Sequence, residues 1–337
     1  MPAEWECRGA VLLSWPHEDT DWADMLDEVR DCYVSLVEAI TRFERVVMIA
    51  PDSASPRARL GHIPEDRIIY VDVPTNDTWT RDYGPVTVEA EGRLRLLDFQ
   101  FNGWGLKFAA NKDNRVTRRL LDSSLLSAPS ENRLDFVLEG GSIESDGRDT
   151  LLTTSHCLMA PNRNSTRSRR EIERYLKDAL GMERILWLDN GYLAGDDTDS
   201  HVDTLARLAP NDTIIYTGCQ DPSDEHFQAL RDMADQLREF RTVEGNPYNL
   251  IELPLPDAIY DGDGQRLPAT YANYLVTPRA VFVPTYNQPK KDFLASQMIR
   301  IAFPEQEIVT VDCRALIRQH GSLHCATMQL YPETLSI

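Results

Sequence analysis

The chain has few basic residues for its size and no long apolar segment. Its 337 residues include 54 acidic residues against 35 lysines and arginines, a net charge of −19. That balance repels nucleic acids and anionic membranes, so neither is an expected partner. No stretch approaches the ~20 apolar residues of a membrane span, and the start, MPAEWECRGA, lacks the features of a signal peptide. We therefore expect a soluble, cytoplasmic protein. The acidity favours a cationic small-molecule ligand, although it also serves solubility alone.

Cysteine pairs at metal-site or redox-site spacing are also missing. A chain of this size does not need cross-links, so free thiols in a reducing compartment are expected. The acid-rich segment GDDTDSHVDT at 195–204 is a candidate metal site, since Asp and His bind divalent ions. It lacks the residue pairs of structural zinc and the i, i+4 histidines of a metalloprotease helix, and DGDGQR at 261–266 lacks the EF-hand glycine. The six scattered cysteines are Cys7, Cys32, Cys157, Cys219, Cys313 and Cys325.

No linker rich in proline, glycine or serine divides the chain, so we expect residues 1–337 to form a single catalytic domain. Buried-strand patterns such as RVVMIA at 45–50 and TIIYT at 213–217 alternate with helical patterns from Thr20 and from Arg167. A final strand is expected to hold Cys325. This alternation predicts an α/β fold.

Five polar residues recur at intervals of roughly 50 to 70 residues, which is compatible with degenerate structural repeats and also with chance. Five units around an axis would each contribute one side chain to a central site. The five residues are Asp82, Glu139, His201, Asn273 and Cys325.

Each of these residues has a structural alternative. Asp82 could pair with Arg81 or cap the turn that follows it. Glu139 precedes two glycines and lies either at a surface turn or in a cleft. His201 is two residues from Asp203, so in an extended segment both side chains would share a face.

A thiol attacks an electron-poor carbon well only as a thiolate beside a proton carrier, and a cationic substrate needs carboxylates. Chemistry alone does not choose between Cys325 and Cys157, since most free cysteines are small buried apolar residues. His320 precedes a glycine turn, and His324 would point away from Cys325 in a strand, so both are interpreted as structural.

The chain resembles the agmatine deiminases, within the guanidino-group-modifying enzymes, over nearly its whole length. The resemblance implies an α/β propeller of five ββαβ-type units with pseudo-fivefold symmetry and the active site on the central axis. This chain differs from many members of the family at Ser200, where they have glycine, and at QHGS (319–322), where they have a glycine-rich turn. The segments that carry it are MPAEWE, TWTRDYGP, FNGWG, LEGGSIESDG, NRN, GDDTDSHVDT, RLPATY and HGSLHCATMQ.

Site residues follow from this resemblance. Cys325 would be the nucleophile, His201 the general acid and base, and Glu139 the carboxylate that orients His201. Asp82 and Asp203 would grip the guanidinium. Further residues expected to line the substrate pocket are Asp197, Asn273, Trp79 and Trp104.

The expected reaction converts agmatine and water into N-carbamoylputrescine and ammonia through a covalent thiouronium on Cys325, with no metal or organic cofactor. Deiminases of free or peptidyl arginine are the alternative on the same scaffold. A metal-dependent amidohydrolase and a non-catalytic polyamine-binding protein remain as alternatives from other classes. The sequence leaves homo-oligomerisation open.

Overall fold

The computed structural model describes residues 1–336; the single-domain prediction also includes Ile337, which lies outside the described residues. The α/β prediction is confirmed. The helices are α1 (Leu26–Thr41), α2 (Ala54–Leu60), α3 (Thr80–Tyr83), α4 (Gly103–Leu106), α5 (Val116–Asp122), α6 (Ser155–Leu158), α7 (Arg169–Leu180), α8 (Phe227–Glu239) and α9 (Pro289–Ala302).

The strands are short, from two to eight residues. They are β1 (Ala10–Ser14), β2 (Arg45–Ala50), β3 (Ile68–Asp72), β4 (Val86–Ala90), β5 (Arg93–Gln100), β6 (Ser130–Val137), β7 (Ile143–Ser145), β8 (Thr150–Thr154), β9 (Arg184–Leu188), β10 (Ala206–Ala209), β11 (Thr213–Thr217), β12 (Asn249–Leu253), β13 (Leu275–Val276), β14 (Ala280–Thr285), β15 (Glu307–Asp312) and β16 (Met328–Leu330).

These strands form five separate sheets with one repeated topology. The sheet orders are β16-β1-β2-β3, β4-β5-β6, β7-β8-β9, β10-β11-β12 and β13-β14-β15. In each sheet the first two strands are antiparallel and the third is parallel to the second. A helix connects that parallel pair, as a parallel crossover requires: α1, α5, α7, α8 or α9. The C-terminal strand β16 pairs with β1, so the two ends of the chain complete one sheet.

Helix ends follow local sequence where capping residues are present. Ser168 and Glu171 form a capping box at the start of α7, and Gly181 ends that helix with φ 68°, a conformation that glycine adopts without steric cost. The helix predicted from Thr20 begins later, at Leu26, after a 3₁₀ turn at Ala23–Met25.

The five equally spaced polar residues occupy equivalent places in the five sheets. Each lies in the connection shortly before the first, antiparallel strand of its sheet. Asp82 precedes β4, Glu139 precedes β7, His201 precedes β10, Asn273 precedes β13 and Cys325 precedes β16. The prediction that Cys325 lies within a strand is wrong: residues 323–326 form a turn, and the strand starts at Met328.

Candidate active site

The thiol of Cys325 is buried beside two hydrogen-bonding side chains. Asn273 donates its amide N–H to the sulfur at 3.2 Å, and the sulfur lies 3.6 Å from Asp203 Oδ2. Asn273 also accepts from the backbone N–H groups of His324 and Cys325 through its Oδ1. One amide side chain therefore holds both the turn and the thiol. Burial raises the pKa of the Cys325 thiol well above its usual range, and the carboxylates of Asp203 and Asp82 raise it further.

Asp203 has one engaged and one free carboxylate oxygen. Its Oδ2 accepts from His324 Nδ1 at 2.7 Å, whereas its buried Oδ1 has no partner among the described residues. Burial alone would raise the pKa of Asp203, but the hydrogen bond from His324 and the positive charges of His324, His201 and Arg207 together outweigh it and hold that pKa below the usual value. A buried carboxylate oxygen without a donor is costly unless a ligand supplies one.

Asp82 is held by donors from two separate loops. Trp104 donates its indole N–H to Oδ2 at 2.9 Å, and Gly141 donates its backbone N–H to Oδ1 at 3.0 Å. Burial raises the pKa of Asp82 to about 6; cationic His201 opposes this rise and Asp203 adds to it. The alternative pairing with Arg81 is not made, because Arg81 instead bonds Glu4 and Gln329.

His201 is fully buried in a carboxylate-rich surrounding. Its Nδ1 lies 3.6 Å from Asp82 Oδ1, and neither ring nitrogen has a hydrogen-bond partner within the described chain. Burial alone would lower the pKa of His201, but Asp82, Cys157 and Glu139 outweigh it and hold that pKa well above its usual range. The ring is therefore cationic at neutral pH and ready to donate.

Glu139 does not hydrogen-bond His201, contrary to the expectation that it orients the ring. Both of its oxygens accept from Arg163 Nε, at 2.9 and 3.0 Å. Arg163 also bonds Asp199 and the carbonyl oxygen of Thr198. Glu139 thus anchors the loop that carries His201 through Arg163, while its charge still acts on the imidazole.

The acid-rich segment 195–204 is held in shape by hydrogen bonds between its own residues. Asp196 accepts from the N–H groups of Thr198 and Ser200, and Thr198 Oγ1 in turn accepts from the His201 N–H at 3.1 Å. These bonds place His201 at the end of a tight loop. Asp199 and Ser200 have φ angles of 65° and 64° there, a strained conformation for residues other than glycine.

A narrow cleft with a volume of about 30 Å³ leads to Cys325. Trp79 and Trp104 form walls, and Trp104 lies in α4, whose four residues all have positive φ. Burial raises the pKa of Asp197 above its usual value, and burial also raises the pKa of Asp77, to about 8. Within the described residues the cleft lining contains no lysine or arginine; its four acids are Asp21, Asp77, Asp82 and Asp197.

Two groups of side chains have the donor types of a metal site, each with ligand atoms within 4.8 Å of one another. They are Glu139, Cys157 and His201, and Glu4, Glu144 and His324. In both groups the carboxylates already bind arginine, Arg163 in the first and Arg207 in the second. The predicted residues Asp82, Asp203, His201, Asn273 and Cys325 come together, whereas GDDTDSHVDT does not gather its acids around one point.

Sequence reasoning missed Arg163 and Glu4, considered Cys157 only as a rival nucleophile, and assigned His324 only a structural role. Arg163 and Glu4 lie within the quoted motifs NRN and MPAEWE, and their charge within those motifs was the available signal. Cys157 lies 4.0 Å from Glu139 Oε2. None of the described helices is long and apolar enough to cross a membrane.

The family model described as Porphyromonas-type peptidyl-arginine deiminase matches residues 1–331. An agmatine deiminase from Pseudomonas aeruginosa (strain LESB58) is 32% identical, and the match covers 98% of this chain and 94% of that protein. A solved structure from Porphyromonas gingivalis, described as a candidate arginine deiminase, is 48% identical with a TM-score of 0.94, covering 99% of this chain and 98% of that one.

A substrate-bound cysteine-to-serine variant of agmatine deiminase from C. jejuni is 38% identical with a TM-score of 0.91, covering 98% of this chain and 95% of that one. A dimethylarginine dimethylaminohydrolase matches at a TM-score of 0.54 with 11% identity, a likeness of fold alone. On the match to 331 consecutive residues, this chain belongs to the Porphyromonas-type peptidyl-arginine deiminase family.

Proposed function

We propose that this protein is an agmatine deiminase, which converts agmatine and water into N-carbamoylputrescine and ammonia. The observation that carries the proposal is a buried thiol, Cys325, beside the Asp203 carboxylate at the end of a cleft lined by four acids and two tryptophans. Asp203, Asp82 and the cationic imidazole of His201 lie together around Gly141. A guanidinium needs carboxylates to hold it and a thiol to attack it. The named relatives from Pseudomonas aeruginosa and C. jejuni support the same activity.

Asp82 and Asp203 hold the substrate guanidinium in this proposal. The free Oδ1 of Asp203 supplies an acceptor that lacks a donor in the described chain. Asp82 supplies the second carboxylate, already oriented by Trp104 and Gly141. Two carboxylates along the N–H edges fix the guanidinium plane and leave its central carbon open to Cys325.

The substrate's own charge favours ionisation of the nucleophile. Burial and two carboxylates keep the Cys325 thiol protonated in the free enzyme. A guanidinium cation bound between those carboxylates offsets their charge, so the pKa of the thiol falls when substrate is present, and the thiol releases its proton to solvent before it attacks. The Asn273 N–H, 3.2 Å from the sulfur, stabilises the thiolate that results.

His201 transfers the protons. Attack by the thiolate forms the S–C bond and a tetrahedral adduct; protonated His201 then donates to the departing nitrogen, the C–N bond breaks, and ammonia leaves a thiouronium. Neutral His201 next removes a proton from water, which attacks the same carbon. The C–S bond breaks, the ureido product leaves, and the thiolate is regenerated. Glu139, bound by Arg163, contributes negative charge that keeps His201 basic.

The architecture that we propose is a five-unit propeller formed by residues 1–337 as one domain, with the site on its pseudo-fivefold axis. Five sheets of one topology support it. So does the placement of one site residue before the first strand of each sheet. Six free cysteines support a reducing cytoplasmic setting.

Deimination of free arginine or of arginine in peptides is the second candidate, because the family model and the Porphyromonas gingivalis structure carry those names. The cleft lining favours agmatine. An arginine carboxylate would meet the acidic side chains of Asp21 and Asp197, and the described lining has no lysine or arginine to receive it. That costs a few kcal/mol, or on the order of a hundredfold in kcat/KM.

The decisive experiment measures ammonia and ureido product from agmatine, free arginine and a blocked arginine peptide side by side. We expect kcat/KM for agmatine to exceed the other two by about a hundredfold and to fall as salt rises, since screening weakens attraction to the acidic cleft. Comparable efficiency on arginine would overturn the substrate assignment. No turnover of any of the three guanidine compounds would favour the alternative of a non-catalytic polyamine-binding protein.

A further inference from the structure

A network of buried charges lies behind the active site and reaches the fourth residue of the chain. The Glu4 carboxylate bonds Arg81 Nη1 at 2.7 Å, Arg207 Nη2 at 2.9 Å and His324 Nε2 at 2.9 Å. Three cationic or polar partners on one partly buried carboxylate hold this segment against the core. The same imidazole bonds Asp203 through its other nitrogen.

We propose that Glu4 and His324 are positioning residues that hold Asp203 anionic and oriented for the guanidinium substrate. This inference rests on the proposed function only in naming that substrate; the arrangement of Asp203 is read from the contacts.

The hydrogen-bond pattern works in either protonation state of the imidazole. Asp203 Oδ2 is an acceptor, so His324 Nδ1 must carry the proton. The opposite nitrogen, Nε2, lies 2.9 Å from Glu4 Oε1 and 3.1 Å from Arg207 Nη2. A cationic ring donates to Glu4, and a neutral ring accepts from Arg207. Glu4 and Arg207 together therefore set the tautomer that donates to Asp203.

The consequence for Asp203 is both geometric and electrostatic. With Oδ2 held by His324, Oδ1 remains the oxygen available to substrate. The bond is also the largest of several contributions, with the charges of His324, His201 and Arg207, that together lower the pKa of Asp203 despite burial. Other charged or titratable groups around this carboxylate are Cys325, His201, Asp82, Arg207 and Glu144.

Two substitutions of His324 separate the proposal from a purely structural role. His324→Asn keeps an N–H donor near the position of Nδ1, facing Asp203, whereas His324→Gln places its amide toward Glu4 and leaves Asp203 without that donor. We expect His324→Gln to lower kcat/KM by about 10- to 100-fold, mainly through KM. Its acidic limb should move to higher pH, because the pKa of Asp203 rises and the carboxylate is protonated sooner as pH falls. His324→Asn should retain most of the wild-type kcat/KM, and its acidic limb should stay near the wild-type pH.

A second readout needs no turnover. Cys325 is alkylated with a haloacetamidine, which is cationic, and with a haloacetamide of the same shape, which is neutral. The ratio of the two rate constants reports the negative charge at Asp203. His324→Gln and Glu4→Gln should lower this ratio about tenfold, and the matched control Glu6→Gln should leave it unchanged, since Glu6 bonds only the nearby Ala3 N–H.

An unchanged ratio and pH profile in both His324→Gln and Glu4→Gln would overturn the proposal. Equal losses in His324→Asn and His324→Gln with an unmoved pH profile would do so too, since they would indicate a structural role alone. If wild-type protein deiminates no guanidine but the ratio still falls in the variants, the proposed function fails and this inference stands.

Discussion

The backbone N–H of Gly141 donates to Asp82 Oδ1 at 3.0 Å, and this glycine lies among three site residues. A Cβ added there would come within 2.7 Å of His201 Nδ1, 2.9 Å of Asp82 Oδ1 and 3.0 Å of Asp203 Oδ2. No other residue type fits between the imidazole and the two carboxylates. The close approach of the backbone thus sets their separation.

Gly141→Ala should therefore lower kcat/KM by about 100-fold or more, since displacements of about 1 Å at a site have effects of that size. All catalytic groups remain present in this variant. The matched control is Gly262→Ala, where a Cβ would meet open space. Steady-state kinetics on both variants decides the matter, and near-normal activity in Gly141→Ala would show that the gap is not needed.

Cys325→Ala should abolish turnover while leaving substrate affinity, because Asp82 and Asp203 remain. Cys325→Ser should be nearly inactive as well, since a hydroxyl is much harder to ionise than a thiol. Product assays together with calorimetric titration of agmatine test both. The comparison variant is Cys157→Ser, and full activity in Cys325→Ala would instead make Cys157 the nucleophile.

The acidic limb of kcat/KM should lie near pH 6, where Asp82 becomes protonated. Its pKa is raised above the usual value, so its negative charge is present above that pH and is lost as pH falls through it. Trp104→Phe removes the indole N–H that stabilises the charged form, and its limb should move to higher pH. Trp79→Phe is the control, because Trp79 also lines the cleft but does not bond Asp82. An acidic limb at the same pH in both variants would contradict the assignment of this limb to Asp82.

Ser200→Gly should stabilise the protein by about 0.5 to 1 kcal/mol, because Ser200 has φ 64° and glycine adopts that conformation without strain. Activity should persist, since the backbone bonds of residue 200 to Asp196 and Thr154 remain. Ser35→Gly, within helix α1, should destabilise by a similar amount. Denaturant unfolding of both variants gives the sign of the change in the free energy of unfolding for each. A lower free energy of unfolding for Ser200→Gly would mean that the backbone at residue 200 is not strained.

Chelators should not change activity, whereas thiol alkylation should inactivate the protein and agmatine should protect it. The candidate ligand groups already pair with Arg163 and Arg207. Activity measured after dialysis against a strong chelator is the test. Loss of activity that a divalent ion restores would favour the metal-dependent alternative.

Local patterns were enough to predict several elements. β2 and β11 match the predicted strands, and α7 begins at Arg169, two residues after the start of the predicted helical pattern. Cys325 was misplaced because an apolar stretch before a true strand looks like part of it. The turn is held by backbone hydrogen bonds from Ala326 to Ser322 and from Thr327 to His324, and by the bonds of Asn273 to the same segment.

The sequence by itself determined the α/β class, the acidic character and, through motifs in a fixed order, the residues that we propose for the site. The residue types in these motifs, and the intervals between them, can be read directly from the linear sequence. Partner choice was decided by tertiary structure alone: Glu139 binds Arg163 rather than His201, and His324 joins Asp203 to Glu4. These partners lie far apart in the chain, and burial forces each charge to pair with whatever donor the packed sheets bring within reach.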